Sequence, residues 1–341
     1  MQEFIIGNNQ AGQRLDKFLI KYLPSAGTAF LYKMLRKKNI TLNGKKAAGN
    51  EILQLNDNIR FYFSDETFEK FSNNSKSKGN PNSSFNEEIT AYQKLKQILI
   101  LYENEHILIA LKPAGVLSQK ASPGDYSVNE WLIGYMLESH QINALELGTF
   151  RPSIVNRLDR NTSGIILCGK SLAGSQTLSR MIKERTIKKY YLTVVSGKLT
   201  SPLKLDGYLH KNPSTNKVNI TNEKSDDTEK ILTFVNPLCY YNGYTLLEIE
   251  LVTGKPHQIR AHLASIGHPI IGDAKYGFSK INNEMQKRFG LKCQLLHAYR
   301  LVFPAHEDIL VDYSGKEIKA KCPPLFEKII KELKLYGNME F

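Results

Sequence analysis

The amino-acid sequence predicts an α+β fold with a mixed, mostly antiparallel sheet. Short apolar runs rich in β-branched residues recur along the chain, which is typical of buried strands. Helical patterns lie between these runs without the regular strand–helix alternation of a parallel α/β fold. At 341 residues the chain is long enough for two domains, one of them with a sizeable core.

Residues 1–64 are predicted to form a small α+β domain. Apolar side chains at helical spacing over residues 14–23 indicate an amphipathic helix. Thr28 is predicted to cap a second helix that carries further apolar residues up to Leu35. A strand, an Asn-Gly turn and an alternating strand are then predicted, in that order, over residues 40–42, 43–44 and 59–63.

This first domain carries ten Lys/Arg residues against four Asp/Glu residues, a net charge of +6. Most of the positive charge clusters at the end of the second helix and at the following turn, on Lys33, Arg36, Lys37, Lys38, Lys45 and Lys46. Such a cluster could contact RNA phosphates, or it could simply be a solvated face. The sequence alone leaves both interpretations open.

Residues 65–92 are predicted to be a flexible linker, because residues 71–84 are polar, lack periodicity and contain Gly and Pro. Residues 93–341 then form the second predicted domain. Its predicted strands cover residues 98–102, 107–111, 165–167, 190–195 and 245–251. Its predicted helices fall within residues 131–136, 172–182, 253–263 and 324–335.

The composition is ordinary, with 41% apolar and 23% charged residues, but the net charge of +13 and the pI near 9.3 are not. An excess of this size favours an anionic polymer such as nucleic acid as partner. A membrane is disfavoured, since no apolar run approaches about 20 residues. The N-terminus lacks an export-signal pattern and the four cysteines form no Cys-x-x-Cys motif, so we expect a cytoplasmic protein with reduced thiols.

Several common chemistries are not indicated by the sequence. His257, His262 and His268 are spaced by five and six residues, which does not place them on one helical face, and no metal site is predicted. The glycines match neither a Walker nor a Rossmann motif. A Gly-x-Ser-x-Gly elbow is also missing, which argues against a serine hydrolase.

The segment most suited to catalysis runs from Arg157 to Gly164 and precedes the apolar run 165–167. It places Asp159 between Arg157 and Arg160. Positive charge next to a carboxylate favours its ionised form, and an ionised, positioned carboxylate can act as a nucleophile. The alternative is an Arg-Asp-Arg salt-bridge corner between strands.

Six segments, in order and spacing, resemble the RluA-type RNA pseudouridine synthases. They are Lys-Pro-Ala-Gly at 112–115, Arg-Leu-Asp-Arg-Asn-Thr-Ser-Gly at 157–164, Lys-Tyr-Tyr-Leu at 189–192, and the segments 253–262, 267–276 and 296–298. The first domain is similar to the S4-like RNA-binding domain that members of this family often carry. Lys255 stands where the family usually has Arg, which keeps the charge but loses the bidentate geometry.

The resemblance implies a role for individual residues. Asp159 would be the nucleophile, Tyr191 would stack on the target base, and Arg260 would pair with Asp159. Contacts to RNA would come from Arg157, Lys189, Lys255, His257 and Gln258, and from Lys33, Arg36, Lys37, Lys38 and Lys45. Whether Asp159 attacks the base or the ribose stays open.

The resemblance further implies a cofactor-free isomerase that acts on RNA, with large-subunit ribosomal RNA as the leading candidate and transfer RNA as the alternative. Monomer is the default expectation for the oligomeric state. Two other classes of function are alternatives to the isomerase. One is a non-catalytic RNA-binding or ribosome-assembly factor, and the other is a hydrolase that uses Asp159 as its nucleophile.

Overall fold

The computed structural model describes residues 1–72, 85–212 and 217–335. The N-terminal part is a four-stranded sheet, in the order β1-β4-β2-β3, packed against two helices. Leu15, Phe18 and Leu19 of the first helix are fully buried in a core that the sheet shares. The elements are β1 (Gln2–Ile5), α1 (Leu15–Tyr22), α2 (Thr28–Arg36), β2 (Ile40–Leu42), β3 (Lys45–Lys46) and β4 (Asn58–Phe61).

Two helices follow at the borders of the first undescribed gap, α3 (Asp65–Phe71) and α4 (Asn86–Lys94). Helix α3 and most of α4 fall within residues 65–92, the range predicted to be a flexible linker. Their formation has a packing reason: Phe68 of α3 joins the N-terminal core, and Ala91 of α4 is fully buried. Residues 73–84, which motivated the prediction, lie outside the described residues.

The rest of the chain forms an eleven-stranded sheet in which β11-β10-β12-β13-β9-β14-β8-β6-β5 is the main path. Strands β15 and β7 pair with β14 and β8 at its margins. The strands are β5 (Leu99–Glu103), β6 (Ile107–Lys112), β7 (Ser153–Ile154), β8 (Ser163–Gly169), β9 (Lys188–Ser196), β10 (Leu203–Asn212), β11 (Lys217–Thr221), β12 (Thr228–Tyr241), β13 (Tyr244–Leu251), β14 (Leu296–Val302) and β15 (Glu317–Lys319).

Helices cover both faces of this sheet, as the period-two alternation of its strands requires. On one face Leu108 and Ile166 pack with α5; on the other, Ile109 and Leu167 pack with α7. The helices of this part are α5 (Val128–Glu138), α6 (Ala144–Leu147), α7 (Leu172–Lys183), α8 (Gln258–Ser265), α9 (Ser279–Phe289) and α10 (Pro324–Glu332), with a short 3₁₀ turn at Val311–Tyr313.

The predicted α+β class is confirmed, with all ladders antiparallel except the β8–β14 pair among the described strands. The structure corrects one detail of the N-terminal helices. Thr28 is the first helical residue, and the N-cap position belongs to Gly27, so Thr28 does not cap α2. No helix in the described ranges is both long and apolar enough to cross a membrane.

The N-terminal part contacts the larger part through polar groups. The Gln10 side-chain amide donates to Thr149 Oγ1 at 2.9 Å, in a buried position. The backbone N–H of Leu172 donates to Asn9 Oδ1 at 3.3 Å. These bonds join the loop after β1 to the segment that follows α6 and to the start of α7, well away in sequence from the basic cluster at 33–46.

Candidate active site

A cleft of about 770 Å³ opens where three parts of the chain meet. One wall is the loop 156–162 before β8, which carries Asp159. The second is β9, which contributes Lys189 and Tyr191, and the third is the start of α8 with the turn before it. Residues far apart in sequence are therefore brought together by the central strands of the large sheet.

The loop that carries Asp159 is fastened to the segment just after β6. The Lys112 ammonium is fully buried and donates to the backbone carbonyls of Pro113, Val116 and Arg160 at 2.8–3.0 Å. Burial lowers the pKa of Lys112 to about 7, while the charge of Asp159 opposes that shift. Three carbonyl acceptors use all three donors of the ammonium, so this side chain fixes the residue next to Asp159.

Further hydrogen bonds hold the same loop. Gly115 N–H donates to the Arg160 carbonyl at 2.9 Å, and Arg160 Nε donates to the Gly115 carbonyl at 3.1 Å. Ser118 Oγ donates to the Leu158 carbonyl at 2.7 Å and accepts from Leu158 N–H at 3.0 Å. The position of Asp159 is thus set on both sides by residues 112–118.

The Asp159 carboxylate faces Arg260 rather than its sequence neighbours. Arg260 Nη1 donates to Asp159 Oδ2 at 2.8 Å, and His257 Nε2 lies 3.9 Å from the same oxygen. Arg157 and Arg160 are exposed, and neither forms an ion pair with Asp159 in the described structure. The Arg-Asp-Arg corner considered from the sequence is therefore wrong.

Arg260 is itself held by a second, buried carboxylate. Asp273 accepts from Arg260 Nε at 2.6 Å and from Nη2 at 2.9 Å, and its side chain is fully buried. Burial pushes the pKa of Asp273 upward, but the hydrogen bonds and charge of Arg260 outweigh it and hold the pKa below its usual range. The pKa of Arg260 is raised despite burial by its bonds to Asp273 and Asp159, so both charges of the pair persist.

Tyr191 lies on β9, between β13 and β14, and is 6% exposed. Burial raises its pKa well above the ordinary tyrosine value, and the charge of Asp159 adds to the effect. Its phenol is therefore protonated at neutral pH. The ring is available to the cleft as an apolar surface rather than as a phenolate.

The remaining residues predicted to contact RNA have different environments. Arg157 is exposed at the cleft, and Lys189 is a buried wall residue whose pKa is lowered by burial and by Arg185. Lys255 lines the cleft and pairs with Glu229. The basic residues of the N-terminal part do not line the cleft. The five that were predicted to contact RNA are all exposed on the N-terminal part itself: Lys33, Arg36, Lys37, Lys38 and Lys45.

Gln258 does not suit the RNA-contact role predicted for it. Only 2% of this residue is exposed. Its Oε1 accepts from Thr253 Oγ1 and from Lys255 N–H, and its Nε2 donates to the Leu232 carbonyl and to Thr233 Oγ1. The amide is used inside the protein, where it fixes the turn that leads into α8.

Sequence reasoning assigned no role to Lys112, Ser118, Asp273 or Tyr276, although three of them lie in segments that carry the resemblance. Asp273 is 13 residues from Arg260, and Lys112 is 48 from Arg160. The only signal was that Lys112, Asp273 and Tyr276 lie in segments that resemble the family, without a function assigned to them. Their contacts depend on the tertiary fold.

Comparison with known proteins identifies the chemistry of this fold. The sequence pattern of the family described as RNA pseudouridylate synthase matches residues 106–265. A ribosomal large subunit pseudouridine synthase C from Buchnera aphidicola is 32% identical, and the match covers 87% of this chain and 88% of the relative. The chain belongs to the RNA pseudouridine synthase family, in its RluA-type branch.

Other family members match over nearly the whole chain. A ribosomal large subunit pseudouridine synthase C from Rickettsia bellii is 30% identical over 94% of this chain and 98% of the relative. The solved structure of human RNA pseudouridylate synthase domain containing 4 has the same fold, with a TM-score of 0.58, 20% identity, and coverage of 74% of this chain and 98% of that one. The present family member is accordingly an isomerase that converts uridine to pseudouridine in RNA.

Proposed function

We propose that this synthase isomerises specific uridines of large-subunit ribosomal RNA with Asp159 as the nucleophile. The observation that carries the proposal is the geometry of the carboxylate. Arg260 holds Oδ2, whereas Oδ1 has no hydrogen bond from the described residues, and Asp159 lines a cleft large enough for a nucleotide. A carboxylate fixed by one oxygen and free at the other is suited to attack.

The reaction moves the glycosidic bond of uridine from nitrogen to carbon. In one route, Asp159 bonds to ribose C1′ and the electron pair of the C1′–N1 bond stays on the base. In the other, Asp159 adds to C6 of the uracil and the charge moves to its C4 carbonyl oxygen. In both, the C1′–N1 bond breaks and C5 bonds to C1′, the carboxylate is released from its adduct, C5 loses a proton and N1 gains one.

Arg260 and Tyr191 act on different groups in the reaction. Arg260 keeps Asp159 ionised and oriented before the attack. Tyr191 provides the apolar surface on which the extruded base stacks, and its protonated phenol does not itself act as a base at neutral pH. Since the isomerisation has no net redox change and needs no group donor, we propose that no cofactor takes part.

Binding of the RNA requires energy to extrude the target base, on the order of a few kcal/mol. We propose that phosphate contacts supply it. Arg157 and Lys255 lie at the cleft, and the exposed N-terminal cluster would extend the contact on an S4-like domain. The similarity over most of the chain to relatives named ribosomal large subunit pseudouridine synthase C supports the choice of substrate.

The test is release of tritium from RNA that carries tritium on uracil C5, because each isomerisation exchanges that atom with water. We expect the purified protein to release tritium from large-subunit ribosomal RNA lacking its modifications. Chemical mapping of pseudouridine in a strain without the gene would then identify the sites. RNA binding without tritium release from large-subunit or transfer RNA would instead favour a non-catalytic RNA-binding factor.

A further inference from the structure

His257 occupies an unusual position at the mouth of the cleft. It is the N-cap residue of α8 and has left-handed backbone angles, φ 53° and ψ 13°. A non-glycine residue in this region is strained, and such strain persists where the surrounding structure enforces it. The imidazole is 13% exposed, and its Nε2 is the atom that points toward Asp159, at 3.9 Å.

A chain of hydrogen bonds determines which nitrogen of His257 carries the proton. The backbone N–H of Val218, on β11, donates to Tyr276 Oη at 2.9 Å. Tyr276 Oη also lies 3.0 Å from His257 Nδ1. The phenol oxygen accepts from the amide, and among the described residues Nδ1 is the one acceptor within reach of the phenol proton, which places that proton on the bond to Nδ1. Nδ1 is then an acceptor, and the proton of the neutral ring resides on Nε2.

The charges around His257 favour the neutral ring. Burial is the largest influence and lowers its pKa; Arg260 and Lys275 lower it further, while Asp159 and Asp273 oppose them. The net shift is downward, so the imidazole is neutral at physiological pH. A neutral Nε2–H is a donor that keeps its proton when it meets a weakly basic oxygen.

We propose that His257 donates its Nε2–H to a carbonyl oxygen of the target uracil, and that Tyr276 is the positioning residue that fixes this tautomer. The inference rests on the proposed function. In both routes described above, electron density moves onto a carbonyl oxygen of the base when Asp159 attacks or the C1′–N1 bond breaks. A preorganised donor at that oxygen stabilises the charge without any proton transfer.

The tautomer can be measured directly by NMR on ¹⁵N-histidine-labelled protein. The chain has eight histidines, and the signal lost in His257→Gly identifies the ring in question. We expect the Nε2–H form in the wild type and a mixture of tautomers in Tyr276→Phe, which lacks the phenol proton. An Nδ1–H ring in the wild type, or no change in Tyr276→Phe, would overturn the proposal.

Kinetics test the same contact in the reaction. Glycine suits the left-handed backbone of position 257, so His257→Gly should fold. His140→Gly is the matched control, since His140 also has a left-handed φ, 56°, but is exposed and outside the cleft lining. In single-turnover tritium release we expect a fall of about 30-fold for His257→Gly, a smaller fall for Tyr276→Phe, and no change for His140→Gly.

RNA affinity separates a donor from a structural residue. The dissociation constant for the RNA should stay within about threefold in both cleft variants, because the bond strengthens only as charge develops. Equal rates for wild type and His257→Gly would contradict this inference alone. Absence of tritium release by the wild type would instead contradict the proposed function.

Discussion

Asp159 is held in place by two groups, one that binds its carboxylate and one that binds the backbone beside it. Arg260 fixes one carboxylate oxygen, and Lys112 fixes the carbonyl of the next residue in the chain. The Arg157–Gly164 pattern indicated the carboxylate from sequence, and the family resemblance indicated Arg260. Asp273 and Lys112 could not be assigned in the same way, because the sequence does not show which charges a fold will bury together.

Replacement of Lys112 by methionine tests the clamp on the catalytic loop. The change removes one donor from each of three carbonyls. That of Arg160 keeps its bond from Gly115 N–H, whereas those of Pro113 and Val116 lose the lysine donor, at about 1–3 kcal/mol for each buried carbonyl left unsatisfied. We expect the single-turnover rate to fall by about 100-fold or more while RNA affinity changes little. Lys96→Met, at an exposed position, should behave like the wild type. Wild-type rates in Lys112→Met would show that the clamp is dispensable.

Alternation and helical spacing predicted, with the correct type, the strands β2, β4, β5, β6, β8, β9 and β13 and the helices α1, α2, α5, α7, α8 and α10, but they did not predict the inner strands β12 and β14. The polar edge hairpin of β10 and β11 and the helix α9 were not resolved by these patterns. Their apolar residues are few and stand between polar and charged ones, as Ile281 and Met285 do in α9, so the pattern is weak. Their stability comes from neighbours, such as the bond from β11 to Tyr276, which sequence does not reveal.

Gly164 joins β8 to β14 at the base of the cleft and cannot be replaced freely. Its φ is +128°, and a Cβ there would lie 2.3 Å from the Ala298 carbonyl oxygen. We expect Gly164→Ala to lower the free energy of unfolding by about 3 kcal/mol or more. Gly254→Ala is the control, since no atom lies within 4 Å of its Cβ position. Urea unfolding with similar midpoints for both variants would contradict this prediction.

Two buried histidines make the free energy of unfolding of the whole protein depend on pH. Burial lowers the pKa of His262 and of His297 to about 4. Between pH 6.5 and 4 the unfolded chain therefore binds protons that the folded protein does not, so stability falls as the pH falls through this window. The loss should be on the order of 2 kcal/mol for each imidazole by pH 4.

Urea unfolding at pH 7 and pH 4.5 measures this effect. In His297→Asn, whose shorter amide cannot take up the proton, the difference in unfolding free energy between the two pH values should be smaller than in the wild type. The same difference in both proteins would show that His297 does not contribute to the acid sensitivity.

The basic N-terminal cluster should contribute to RNA affinity through phosphate contacts. Replacing Lys33, Lys37 and Lys38 by glutamine should weaken binding and reduce the slope of log K against log salt by about two. A triple variant of exposed lysines near and on α10, Lys321, Lys328 and Lys331, removes the same charge and should change the slope much less. Equal slopes for the two triple variants would indicate only a non-specific charge effect.

Single-turnover tritium release by the wild type and by Asp159→Asn tests whether the Asp159 carboxylate is the nucleophile. The amide keeps the size of the side chain but removes its charge and nucleophilicity. We expect release to fall below detection while RNA affinity stays within about tenfold of the wild type. Measurable turnover by Asp159→Asn with correctly folded, RNA-bound protein would show that another group is the nucleophile.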